Sequence, residues 1–430
     1  MILIVYTTHY RKGSDMFARI AQTLQEEKME NQSQNIQCLG IHGKKQLISL
    51  FNEIRINQQK ISEYHFVGHA GMYGPMYGTV NYPEQISPFE WKTLDIPFEE
   101  NAKAYFHCCR SARWFAPFFA EVFQVETYGY HWYTTFSANK LRYKRVKSNT
   151  KLVYAAGCPG RKSHGLLASL KKYSGLMELE KLKLFKPSKN TSDKTYDKVA
   201  KLYNAVFQDI KVRKDEWKWL VNHLPKEKNT HVVDLGCGNG ALLKELAPSI
   251  EKGIGLDISG QILEHAINNH ALNKHISFKQ ITGPMLPVEN NSVDLVISLL
   301  SFRYLDWDPV MSEIKRILKP GGKLLIIDMV TVPPKWYEIP AFVKSKFNQY
   351  VQRYTHREFY QHLSKLVNHP DWKKMLQYNP IRAEHEMKWY LESRFPGRKV
   401  DKINVGWNSC ILAFDSGNID DITDIHLTYP

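Results

Sequence analysis

Cysteine is scarce in this sequence. There are six in 430 residues, with none at CxxC spacing, so neither a disulfide framework nor a thiolate zinc site is indicated. A reducing compartment, the cytoplasm, is expected. No stretch reaches the ~20 apolar residues of a membrane span. The opening MILIVYTTHY lacks a basic flank and reads as a first strand rather than a leader. Internal repeats and low-complexity tracts are absent, which excludes solenoid architectures. Acidic residues are in deficit: 43 Asp and Glu against 58 Lys and Arg give a net charge of +15. Most of that excess lies in residues 139–190, where fourteen Lys and Arg face only Glu178 and Glu180. This segment reads either as a solvated connector or as a patch for an anionic partner: nucleic acid, an anionic membrane surface or a phosphorylated carrier.

What is present is globular. Apolar residues make up 43% and aromatics 12% of the chain, enough for about two or three cores at this length. Strand and helix signals alternate through residues 1–135, implying a mostly parallel sheet with helices on its faces. The basic segment follows, and residues 187–194 carry the best linker signal. The expected organisation is thus an α/β domain at 1–186, a linker at 187–194 and a second α/β domain at 195–430. The second domain opens with one helix spanning about 195–224. A helical stretch rich in Trp, Tyr and His, residues 333–396, interrupts its alternation.

The sharpest motif is Val232-Val233-Asp234-Leu235-Gly236-Cys237-Gly238-Asn239-Gly240. A buried strand enters a loop whose glycines permit close approach of a ligand, and the loop opens a helix. Asp257 ends the next strand, where a carboxylate can accept both hydroxyls of a ribose. A nicotinamide site would call for GxGxxG; here Ala241 and Leu242 follow Gly240, and Asp234 suits a cationic ligand better.

These residues resemble the class I S-adenosylmethionine-dependent methyltransferases. Asp234, Gly236, Gly238 and Gly240 fit the family's first motif and Asp257 its ribose-binding acid. Gly283 to Pro287, Asn291 to Val296 and Arg316 to Gly322 look like its later motifs. The resemblance covers roughly residues 195–416. It implies a Rossmann-like sheet and S-adenosylmethionine as cofactor, held by those residues together with Ile258, Ser298 and Met285. Relatives often place an acid after the position of Gly283. Pro284 and Met285 stand there instead, so the adenine falls to backbone groups and to Met285 or Leu286. Tyr196 and Tyr203, on the helix preceding the domain, would close over the cofactor. The acceptor would lie beyond the fourth strand and under the insertion, with Tyr304, His356, Glu384 and His385 as its contacts. For His356, Glu384 and His385 the more ordinary reading is a surface charge or a satisfied histidine.

In the first domain His69 follows the third strand and Cys109 the fourth. Parallel strands bring such ends to one edge, where an imidazole can activate a thiol. The pattern Gly68-His69-Ala70-Gly71 and Cys109-Arg110-Ser111 is similar to the caspase-like cysteine peptidases. That resemblance implies a caspase-like or flavodoxin-like parallel sheet, with Cys109 as nucleophile and His69 as its partner. An inactive domain that binds the substrate or its carrier fits the same residues. The expected function is methyl transfer to a small or carrier-bound metabolite. The alternative is a tRNA methyltransferase anchored by residues 139–190.

Overall fold

The computed structural model describes residues 1–31, 35–160, 165–188, 197–227, 229–332 and 335–428. The chain divides into two compact units, Met1–Thr191 with His426–Pro430, and Ser192–Ile425.

The first unit is built on a six-stranded sheet. Its strands are β1 (Ile2–Thr7), β2 (Ile36–Ile41), β3 (Ile61–Val67), β4 (Phe98–His107), β5 (Glu126–Gly129) and, after a hairpin of β6 (Tyr133–Ser137) and β7 (Tyr154–Cys158), β8 (Lys183–Phe185). Their order is β2-β1-β3-β4-β5-β8, parallel except for β8 at the edge. This is the doubly wound order whose direction switches between β1 and β3. Alternation along β3 and β4 sends Tyr64, Phe66, Ala104 and Phe106 into the main core. Glu63, His65, Tyr105 and His107 therefore fall on the opposite face. Helix α1 (Ser14–Asn31) crosses between β1 and β2, and α2 (Lys44–Ile56) between β2 and β3.

The last residues, which the sequence assigns to the second domain, belong to the first unit. His426 Nδ1 lies 2.5 Å from a Glu84 carboxylate oxygen and the Thr428 hydroxyl donates to Glu90 at 2.9 Å. Glu90 also forms a fully buried ion pair with Lys44, 2.9 Å.

The second unit holds a seven-stranded sheet. Its strands are β9 (His231–Leu235), β10 (Lys252–Asp257), β11 (Ile276–Gln280), β12 (Val293–Leu299), β13 (Leu318–Thr331), β14 (Asp401–Val405) and β15 (Ser409–Asp415). The order is β11-β10-β9-β12-β13-β15-β14, with β15 antiparallel to both neighbours. Apolar layers on its two faces form the core. The order reverses at β9, so the carboxyl ends of β9, β10 and β12 frame a crevice.

One expectation changes here and another holds. The long opening helix is broken: α3 (Ala200–Val206) and α4 (Lys214–His223) are separated by a turn. Asp209 accepts the Lys211 amide there at 2.8 Å, a local bond that competes with helical continuation. The insertion is four helices among the described residues, Ile339–Thr355, Arg357–Asn368, Pro370–Tyr378 and Glu384–Arg394. Pro340 and Pro370 stand in the first turns of two of them, where proline is favoured.

Candidate active site

The glycine loop folds back on the end of β10. The amides of Gly236 and Cys237 both donate to the Leu256 carbonyl, at 2.7 and 3.0 Å. Gly236, Gly238 and Gly240 take φ of +80°, +54° and +79°, which other residues rarely adopt. A side chain at Gly236 would strike Ser301. Asp257 then closes the loop: its carboxylate accepts the Gly238 amide at 2.9 Å and the Ser259 amide at 3.0 Å.

Two acids are buried at this edge. Asp257 is 7% exposed and Asp234 is 2% exposed. Burial, reinforced by the Asp257 charge, pushes the Asp234 carboxyl up to about 8. Burial raises Asp257 as well, against the pull of its backbone donors. Neither forms an ion pair among the described residues. Buried charge without a counter-charge is unfavourable, so the site suits a ligand bringing hydroxyls and a positive charge. A ribosyl sulfonium cofactor meets that requirement.

Helix α3 covers the loop. A Cβ built on Gly238 would lie 2.8 Å from the Tyr203 hydroxyl, so Tyr203 stands directly over that glycine. Asn204 accepts from the buried Asn239 at 2.9 Å. Asp197 accepts the Ser259 hydroxyl, fastening the start of the same segment to the loop after β10. Tyr196 lies outside the described residues. Ile258 and Met285 are exposed at the rim, 41% and 61%. Leu286, offered as an adenine contact, is instead core: it is 4% exposed and its amide donates to Glu313. Ser298 is fully buried, and its hydroxyl bonds that of Ser301 at 2.7 Å.

Beyond β12, Arg303 pairs with Asp328 at the end of β13 and lies 4.4 Å over the Tyr304 ring. A cavity of about 450 Å³ opens at the same edge, where the α4 start, the first two insertion helices and the turn into β15 meet. Register fixes this location, because Cys410 pairs with Val330 at the carboxyl end of β13. Arg213 lines the cavity. Burial lowers its pKa, and Glu216 lies 3.7 Å from it. The Arg213 guanidinium lies 5.3 Å over the Phe207 ring, which packs 4.6 Å from the Tyr203 ring above the glycine loop.

The expected acceptor contacts lie elsewhere. Glu384 is bound to Lys402 at 2.7 Å, His385 meets the Trp389 ring at 4.6 Å, and His356 joins two insertion helices. None of these, nor Tyr304, lines the cavity. Arg213, Asn204 and Arg303 escaped sequence reading. Only Asp328 carried a signal, as an acid closing an apolar strand.

In the first unit, Val67 pairs with His107, so His69 and Cys109 each follow that rung by two residues. His69 Nε2 donates to the Lys12 carbonyl at 3.1 Å, its ring edge-on to Phe17. The half-buried Cys109 sulfur accepts the Thr134 amide at 3.3 Å.

Residues 233–326 match the methyltransferase-domain family model. The chain is 28% identical over 115 residues to the sterol 4-C-methyltransferase of Caenorhabditis elegans, covering 26% of this chain and 34% of that protein. It is 32% identical over 151 residues to phosphoethanolamine N-methyltransferase 1 of Triticum aestivum, covering 32% and 30%. Among solved structures, a methyltransferase from Aquifex aeolicus aligns at 19% identity over 52% of this chain and 99% of that one, with a TM-score of 0.34. The chain spans about a third of the length of those first two relatives. No helix among the described residues is long and apolar enough to cross a membrane. Motif order, buried acids and family match agree: the second unit carries a class I methyltransferase domain whose cofactor is S-adenosylmethionine.

Proposed function

We propose that the protein transfers a methyl group from S-adenosylmethionine to a small or carrier-bound metabolite held in the cavity beside Arg213. The observation that carries this reading is the pair of buried, cation-free acids, Asp234 and Asp257, at the glycine loop. When bound, the cofactor supplies an electrophilic methyl group on a cationic sulfur. The chain's own residues supply placement. Asp257 and the loop amides hold the sugar, Asp234 faces the positive end, and α3 with Tyr203 excludes water. Much of the acceleration in such a displacement comes from alignment. Calorimetry with adenosylhomocysteine tests the site: wild type binds and Asp257→Ala binds far more weakly. Equal binding by both, or by neither, refutes the assignment.

For the first unit the reading is a domain that binds the substrate or acts as a cysteine hydrolase. Its support is the placement of His69 and Cys109 after adjacent parallel strands. A thiol-directed activity probe should label Cys109 in the folded protein and fail in His69→Ala. Labelling only after denaturation argues for a binding role.

A further inference from the structure

The first unit contains a second chamber that neither reading uses. On the sheet face away from the main core, β3 and β4 carry His65, Tyr105 and His107, and these line a cavity of about 1090 Å³. Doubly wound sheets normally cover both faces with helices. Here α1 covers one part, and the basic segment with its hairpin roofs the rest.

The floor is rigid and uncharged at its centre. Tyr105 stacks between His65 and Tyr128, each at 4.6 Å. His65 Nε2 donates to Glu63 at 3.0 Å, and His107 Nε2 donates to His65 Nδ1 at 3.1 Å. Burial keeps both imidazoles neutral at physiological pH, His107 at about 3. Glu63 is matched by Lys28.

The roof has the opposite character. Lys172 is only 4% exposed, lines the cavity, and has no carboxylate partner among the described residues; its ammonium lies 5.5 Å over the Tyr173 ring. Arg142, Lys144 and Lys181 line the same cavity, also without ion pairs among those residues. Of the acids in the lining, Glu27 pairs with Lys140 at 3.0 Å, Glu180 accepts the amides of His131 and Trp132, and Glu178 is exposed to solvent at the rim. A buried, unmatched cation is unfavourable unless a counter-charge arrives.

We propose that this chamber binds a phosphorylated small molecule of nucleotide size, its phosphates on Lys172 and the basic rim and its organic part against Tyr105 and His65. A phosphate ester carries about two negative charges at neutral pH, which suits a cluster of cations better than a lone carboxylate does. The volume fits a metabolite. A nucleic-acid backbone would engage exposed lysines, whereas Lys172 is sealed inside.

The test is calorimetry on the full chain with ADP and with inorganic pyrophosphate, in saturating adenosylhomocysteine so that the methyltransferase site is filled. Both probes should bind. Lys172→Met should weaken them about tenfold or more, and Arg142→Met, an exposed and structurally mild change, by a smaller factor. Lys147→Met, outside the chamber, should leave affinity unchanged. Three outcomes overturn the proposal: no binding of either probe at millimolar concentration, undiminished binding by both chamber variants, or binding of an RNA oligonucleotide weakened equally by all the variants while the small probes fail.

Discussion

The two units carry opposite charge imbalances. Among the described residues, Asp234 and Asp257 at the glycine loop of the second are buried without a cation, and Lys172 beneath the roof of the first is buried without an anion. Elsewhere in the first unit Lys44 is equally buried, yet it sits 2.9 Å from Glu90. The contrast teaches that burial of charge does not itself mark a site. A matched pair belongs to the scaffold, and an unmatched group states the sign of what it awaits.

Substitution can break this comparison. Lys44→Met should be the most damaging change, destabilising the first unit by about 3–5 kcal/mol in chemical denaturation, because Glu90 is left uncompensated. Lys172→Met removes a cation of similar burial and should cost under about 1 kcal/mol, or stabilise, because no partner is stranded. Similar losses for both would erase the distinction. Next in size, Asp257→Ala should lower adenosylhomocysteine affinity by about a hundredfold, through loss of the sugar acceptor and the loop anchor. Pyrophosphate binding at the first unit should be untouched by it.

The smallest effect is the most diagnostic. Asp234 binds its proton more tightly folded than unfolded, since its pKa rises to about 8. Between the unfolded carboxyl value of about 4 and that folded value, the native state holds the extra proton, so stability falls as pH rises through this window. Asp234→Asn should therefore gain stability at pH 8 relative to wild type, and nothing at pH 4, in paired thermal melts. It should also bind the cofactor more weakly. A gain that ignores pH would show that the acid is not strained by burial.

The most legible parts were local in sequence. The strand–glycine loop–helix run, the acid ending β10 and the helical interruption near residue 333 all stand where periodicity and motif put them. Tyr203 was legible as a cover because its helix adjoins the loop in sequence. Less legible features depended on distant partners. Leu286 and Ser298 look like site residues beside the motifs, but packing against Glu313 and Ser301 turns them inward. Glu384 and His385 form the densest polar cluster of the insertion, yet Lys402 and Trp389 absorb them. Arg213 had no local mark; its place in the cavity wall arises only where α4, the insertion helices and β15 converge.

By itself the sequence determined the strands of the second sheet, the glycine loop that leaves the first of them and the acid that ends the next. These follow from backbone conformations only glycine adopts and from residues a few positions apart. Tertiary structure alone decided which buried charges are matched, because a counter-charge comes from whichever distant segment the fold packs against it, as Glu90 meets Lys44 while no carboxylate among the described residues meets Lys172.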